Sequence, residues 1–379
     1  MAGPLHGVKV VEIASMAPGP FATMVLADLG AEVLRIDRAD AATGADPSRP
    51  PPEPLGRGCR SVAVDLKRDG GAELALRLIE QADVLVEGFR PGVCERLGIG
   101  PDDCAARNPR LVYARITGWG QTGPLAQRAG HDVNYLALSG ALHPIGPGDA
   151  PPTPPINYVA DFGGGGMLLV VGVLSGLLER ERSGRGQVVD AAMTEGAGLL
   201  SAMLHGHLAS GLWREARGVN VLDGSAPFYT TYECADGKFV AVGALEPQFY
   251  AALTAGLGLD DLPNQFHVAS WPRMRARFAA AFASKSRDEW ASLFADVDAC
   301  VTPVLSPVEA SAHPHSAARG SFTEVAGLEQ PAPAPRFSRT PGEVASPAPH
   351  PGQHTDAALA DWGIPVDEVA TLRTQGVVA

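Results

Sequence analysis

The chain has 379 residues, a formal net charge of −12, 45% hydrophobic residues and 19% charged residues. That length suits about two domains of roughly 150 residues each. So low a charge content excludes a disordered, tail-like protein, and the acidic balance argues against a nucleic-acid binder, which carries a basic face. Among the 30 basic residues only Lys9, Lys67, Lys238 and Lys285 are lysines. Phosphate contacts therefore fall mainly to arginine, whose planar fork suits them. The cysteines are Cys59, Cys94, Cys104, Cys234 and Cys300. An odd number without Cys-x-x-Cys spacing predicts neither a disulfide framework nor a zinc site, and fits a reducing, cytoplasmic location. The N-terminus has no basic stretch leading into an apolar core, so no secretory signal is expected. The longest apolar run, Met167–Leu178, is too short for a bilayer core of about 30 Å and predicts a buried helix, with no membrane span.

In chain order, Val8–Ala14 predicts a strand. Ala17-Pro-Gly-Pro20 breaks it, Phe21–Leu29 has helical spacing, and Gly30 ends the helix. Glu32–Ile36 is a second strand followed by Asp37 and Arg38. A β-α-β unit with an acidic residue after its second strand raises a dinucleotide site. The glycine fingerprint is missing, however, and proline removes N–H groups that would cradle a pyrophosphate. Residues 40–58 predict a loop, Ser61–Leu66 a strand, Ala72–Ala82 an amphipathic helix, Asp83–Val86 a strand, and Leu111–Ile116 another, with a helix carrying Glu95 and Arg96 between the last two. This alternation predicts an α/β fold with a doubly wound, Rossmann-like parallel sheet. Ligands bind beyond the carboxyl ends of such strands. Arg38, Lys67 and Arg90 each follow a predicted strand, where they suit a polyphosphate or stand as solvated surface charge.

Pro151–Pro155 connects to Asp161. Gly163–Gly166 opens a long helix to about Glu181, Val188–Ala191 is a short strand, and Thr194–Ser210 predicts one further long helix. Pro227–Glu233 and Lys238–Gly243 flank Ala235-Asp-Gly237, a hairpin signal. Helices at about 247–256, 271–284 and 287–295 complete a small α+β domain. Residues 328–353 predict an extended arm and Thr355–Trp362 a short terminal helix. The expected division is a large domain over 1–200, a linker helix region over 201–225, the small domain over 226–320, and an arm over 321–379 returning to the large domain.

His131 alone is compatible with a structural histidine, and Asp161 alone with a helix N-cap. Together they suggest more. Glycines behind Asp161 would leave a bare helix start whose N–H groups could meet an enolate oxygen. An imidazole and a carboxylate flanking an acidic α-carbon can deprotonate one face and reprotonate the other. Asp161 without the histidine could instead attack a thioester as a nucleophile. A histidine base needs a partner at its other ring nitrogen, and Glu246 is a candidate for it, as well as a plain helix-start glutamate ahead of Pro247. No G-x-S-x-G elbow or Walker loop is present, and the histidines are too scattered to suggest a metal.

At these residues the chain resembles the family III CoA-transferases over nearly its whole length. The resemblance rests on Val10-Val-Glu-Ile-Ala14, Leu29-Gly-Ala-Glu-Val33, Asp65-Leu-Lys67, Glu87-Gly-Phe-Arg-Pro-Gly-Val93, Glu95-Arg-Leu-Gly98, Thr117-Gly-Trp-Gly-Gln-Thr-Gly-Pro124, Ala160-Asp161, Gly184-Arg-Gly-Gln-Val-Val-Asp190 and Tyr232-Glu-Cys-Ala-Asp-Gly-Lys238. Transferases of the family typically begin the 130–135 segment Gly-Tyr-Asp. Here it is Gly130-His131-Asp132-Val-Asn-Tyr135, similar to the family's racemases, as is Glu246 in Leu-Glu-Pro-Gln-Phe-Tyr250. The resemblance implies a large Rossmann-like domain, a smaller α+β domain and an interlocked, ring-like homodimer. It implies racemisation of 2-methylacyl-CoA thioesters by His131 and Asp161, with Glu246 in support and no cofactor beyond the CoA of the substrate. The CoA would be held by residues matching Arg38, Leu66, Lys67, Arg90, Arg96, Asp132 and Tyr135. A CoA-transferase using Asp161 as nucleophile is the alternative.

Overall fold

The computed structural model describes residues 3–379. The chain divides into two units. The first contains residues up to Ser139, Ile156–Leu200 and Ala317–Ala379; the second contains Gly140–Pro155 and Ser201–Ser316. Residues 140–155, expected with the large domain, cluster with the second unit. One physical reason is Arg217, whose guanidinium donates to the carbonyls of His143, Pro147 and Ala150 at 2.9, 2.8 and 2.6 Å.

The first unit is built on β1 (Lys9–Ile13), α1 (Pro18–Asp28), β2 (Glu32–Arg38), β3 (Cys59–Val64), α2 (Gly71–Glu80), β4 (Val84–Glu87), α3 (Val93–Arg96), α4 (Pro101–Arg107), β5 (Val112–Thr117), α5 (Asp132–Ser139), a π-helical stretch Tyr158–Gly166 running into α6 (Met167–Ser183), β6 (Gln187–Ala192) and α7 (Met193–Leu200). The six strands lie in the order β3-β2-β1-β4-β5-β6, all parallel. This is the doubly wound order in which the chain reverses direction across the sheet between β1 and β4. Parallel strands covered on both faces are apolar throughout, as Val10-Val11 and Val84-Leu85-Val86 are, all at 0% exposure. Along each strand alternate residues serve opposite faces. Val11, Ile13, Leu34, Val62 and Leu85 join Leu74 and Leu78 of α2 on one side.

Several boundaries differ from the sequence expectation. α1 begins at Pro18 rather than Phe21, because proline costs nothing in the first turn, where its missing N–H would have no partner. The helix behind Asp161 begins at Tyr158, so Asp161 lies inside it. With α6 it spans 26 residues at mean hydropathy 1.6, long and apolar enough to cross a membrane by length and composition alone. Its inner residues Leu169, Val170 and Val173 are buried in the fold. Exposed apolar side chains of this unit include Leu138, Val171, Leu178, Leu199 and Leu200.

The expected helix over Thr194–Ser210 is two helices, α7 and α8 (Ala202–Ala209), interrupted at Ser201 where the two units part. The second unit continues with β7 (Tyr229–Glu233), β8 (Phe239–Gly243), α9 (Pro247–Gly256), α10 (Trp271–Phe282), α11 (Arg287–Phe294), β9 (Val301–Pro303) and α12 (Pro307–Ala312). The strands form an antiparallel sheet in the order β7-β8-β9. Its core is aromatic, with Phe228, Trp271, Phe278, Phe282 and Trp290 packed beneath Val240 and Val242.

After α13 (Pro314–Arg319) the chain re-enters the first unit as a hairpin, β10 (Phe322–Val325) and β11 (Leu328–Pro331). The arm expected to be extended therefore begins with a strand. α14 (Thr355–Asp361) is followed by α15 (Val366–Thr374), which the sequence pattern did not suggest. These helices cover one face of the sheet: Trp362 and Leu359 are fully buried there, and the Trp362 indole N–H donates to Glu32 at 2.8 Å.

Candidate active site

Three strands end around the point where the strand order reverses. β1 runs into Ala14–Ala17, β4 into Gly88–Pro91 and β5 into Gly118-Trp119, and these turns border a cleft of about 870 Å³. Its lining includes Ser15, Met16, Phe89, Arg90, Trp119, Arg128, His131, Tyr135 and Asp161. His131 and Asp161, thirty positions apart in sequence, thus share one cleft in the first unit.

Local chemistry fixes each. His131 precedes α5: its carbonyl accepts the N–H groups of Asn134 and Tyr135, while Asn134 Oδ1 accepts the N–H of His131 at 3.0 Å. This reciprocal cap holds the peptide and leaves the imidazole exposed. Tyr135 anchors the same turn from below. Its ring lies edge-on to Trp119 with centroids 4.8 Å apart, and its hydroxyl donates to the Gly130 carbonyl. A Cβ at Gly118 would stand 2.2 Å from that ring, so only glycine admits it.

Asp161 is half-buried in the π-helical stretch. Burial pushes its carboxyl above the usual carboxylate range. The neighbouring Asp132 adds to this, while the Asn157 amide and His131 oppose it. A carboxyl raised in this way is suited to carry a proton as well as take one.

The glycines behind Asp161 do not form the bare helix start expected of them. They lie in the interior of a helix already begun at Tyr158. What they permit is close packing of α7: a Cβ on Gly164 would lie 2.6 Å from the Ala197 nitrogen, and one on Gly196 would lie 1.8 Å from the Gly164 oxygen. The N–H groups of Ala160 and Asp161 are already engaged, both by Asp132 Oδ2 at 2.8 Å. Asp132, expected at the CoA, is buried and turned onto that backbone rather than lining the cleft. The first turn of α5 leaves the N–H groups of Asp132 and Val133 without an intrahelical acceptor.

The expected cations fall in different places. Arg90 lines the cleft. Arg38, at the end of β2, forms a two-pronged ion pair with Asp40, and the exposed Lys67 lies near the same aspartate. Arg96 is exposed on α3, and Leu66 packs partly buried against the sheet core. Sequence reasoning missed Arg128, which has no signal beyond standing three residues before His131. It also missed Ser15, whose hydroxyl is buried at the cleft without a hydrogen-bond partner among the described residues. Glu246 lies in the second unit, immediately before α9, where its exposed side chain makes no capping bond.

Comparison with known proteins bears on this geometry. Residues 5–355 match the profile of CoA-transferase family III. The chain is 50% identical to "Alpha-methylacyl-CoA racemase" of Mus musculus over 378 residues, 99% of this chain and 97% of that protein. It is 47% identical to the Homo sapiens protein of the same name over 380 residues, again 99% and 97%. Among solved structures, a CAIB/BAIF family protein from Brucella suis superposes with a TM-score of 0.82 at 27% identity, covering 96% of this chain and 100% of the other.

Proposed function

The chain belongs to CoA-transferase family III, and we propose that within this family it is a racemase of 2-methylacyl-CoA thioesters. The thioester makes the α-proton acidic. One base removes it, giving an enolate, and the other returns a proton on the opposite face. His131 serves one epimer and Asp161 the other. After a turnover the two groups have exchanged protonation states, and equilibration with water resets them. The enolate oxygen meets N–H groups at the start of α5, adjoining His131. Arg90 holds CoA phosphate at the cleft, joined by Arg38, Lys67 and Arg96 once the ligand draws them in. Glu246 orients His131 across the homodimer. The chemistry calls for no cofactor besides the CoA that the substrate carries.

The observation that carries the proposal is that His131 and Asp161 line one cleft at the carboxyl edge of the sheet, with Asp161 held above its usual pKa. Near-complete alignment with two proteins named as racemases supports the substrate class. The exposed apolar side chains on α5, α6 and α7 support a dimer, because such faces mark association surfaces. The test is racemisation of each 2-methylacyl-CoA epimer in deuterated water. Wild-type protein incorporates deuterium at the α-carbon, and His131→Ala loses about 10²–10⁴-fold in rate. Full racemisation by His131→Ala, or CoA transfer to a free acid without α-exchange, would refute it.

A further inference from the structure

Two-base chemistry requires the bases to stand at a fixed separation, yet His131 and Asp161 lie on separate segments. One side chain joins them. Asp132 is the chain neighbour of His131 and the first residue of α5. Its side chain is buried, with the residue 5% exposed. Oδ2 accepts from the N–H of Ala160 and from the N–H of Asp161 itself, both at 2.8 Å. The peptide that carries one base is thereby tied to the peptide beside the other. Asn157, at the start of the π-helical stretch, makes no side-chain cap. Asp132 therefore supplies from α5 what a local cap would otherwise supply.

The other oxygen points to more than capping. Oδ1 is buried and has no hydrogen-bond partner among the described residues. Leaving a buried acceptor unpartnered is destabilising, which a purely structural cap would avoid. We propose that Asp132 is the positioning residue that fixes the distance and relative aim of His131 and Asp161. Its charge has a second effect. The titratable groups that influence Asp161 are Asp132 and His131, side by side at the start of α5, and Asp132 acts to keep Asp161 basic.

This inference rests on the two-base reading above. The experiment compares wild type, Asp132→Asn and Asp132→Ala in the full-length protein, measuring kcat and KM for both epimers across pH together with α-proton exchange. Asp132→Ala releases the tie, and kcat falls about 10²-fold in both directions with little change in KM, as for a displacement near 1 Å. Asp132→Asn keeps an acceptor for the two N–H groups and drops the charge. It retains most of kcat at its optimum. In the direction where Asp161 takes the proton, its acid limb moves to lower pH, because removing a nearby negative charge lowers a carboxyl pKa. The limb reads the charge of Asp132 at Asp161, while kcat kept in Asp132→Asn and lost in Asp132→Ala, each corrected for the folded fraction from urea melts, reads the tie. An Asp132→Asn profile superimposed on wild type, or wild-type kcat in Asp132→Ala, overturns the inference. Wild type without α-exchange overturns the two-base reading itself, and the inference falls with it.

Discussion

Replacing Gly196 with alanine tests whether the glycines behind Asp161 serve packing. Gly196 lies on α7, and an added Cβ would stand 1.8 Å from the carbonyl oxygen of Gly164 and 2.5 Å from its carbon. Both atoms are backbone, so no side chain can rotate aside. Restoring an ordinary contact of 3.4 Å requires α7 and the π-helical stretch to separate by about 1.6 Å. Asp161 is three residues before Gly164 on that stretch. Overpacking of this kind costs about 1–3 kcal/mol or more, and a shift near 1 Å at a reacting group costs about 10²-fold in rate. Gly196→Ala is therefore expected to lower both stability and kcat. Gly198→Ala, on the same helix, is the control. Its Cβ would meet nothing nearer than Ser139 Cβ at 4.0 Å, and exchanging a helical glycine for alanine gains about 0.5–1 kcal/mol. Urea melts and racemisation rates on both variants decide the question. Wild-type stability and kcat in Gly196→Ala would show that the close approach of the two backbones does not exist.

Two further outcomes follow from buried charge. Burial pushes the Glu12 carboxyl from an ordinary 4.5 up to about 7, against the opposing influence of Arg35 and the Thr23 hydroxyl. The folded chain therefore holds a proton that the unfolded chain releases between about pH 4.5 and 7, so this group's contribution to stability declines as pH rises through that window. Glu12→Gln removes the decline and gains about 1–3 kcal/mol over wild type at pH 8; a stability difference independent of pH would refute this. Arg57 pairs with Asp28 through Nε at 3.0 Å and Nη2 at 2.5 Å, and donates to Gln330 and to the Pro331 carbonyl at 2.8 and 2.7 Å. Arg57→Ala strands the buried Asp28 and is expected to cost about 3–5 kcal/mol, with faster proteolysis between residues 321 and 353; unchanged cleavage would show that the arm is held elsewhere.

Local pattern carried much of the architecture. Runs such as Val84-Leu85-Val86 have the composition of strands buried on both faces, and Asp236-Gly237 turns a hairpin because glycine accepts the φ of 74° found there. The alternation of strands and helices implied a parallel sheet, and the histidine at 131 marked one of the side chains that line the cleft. What the sequence could not carry was anything set by partners remote along the chain. The tertiary structure decided that β4 lies beside β1, which opens the cleft between their carboxyl ends. It decided that α15 completes the cover over one face of the sheet, and that the glycines behind Asp161 admit a helix rather than an anion. It also turned the Asp132 carboxylate onto the backbone of Ala160 and Asp161. A hydrophobic period reports which face of an element is buried. The partner of a carboxylate is set by which backbone the fold brings against it, and for Asp132 that backbone lies 28 and 29 residues further along the chain.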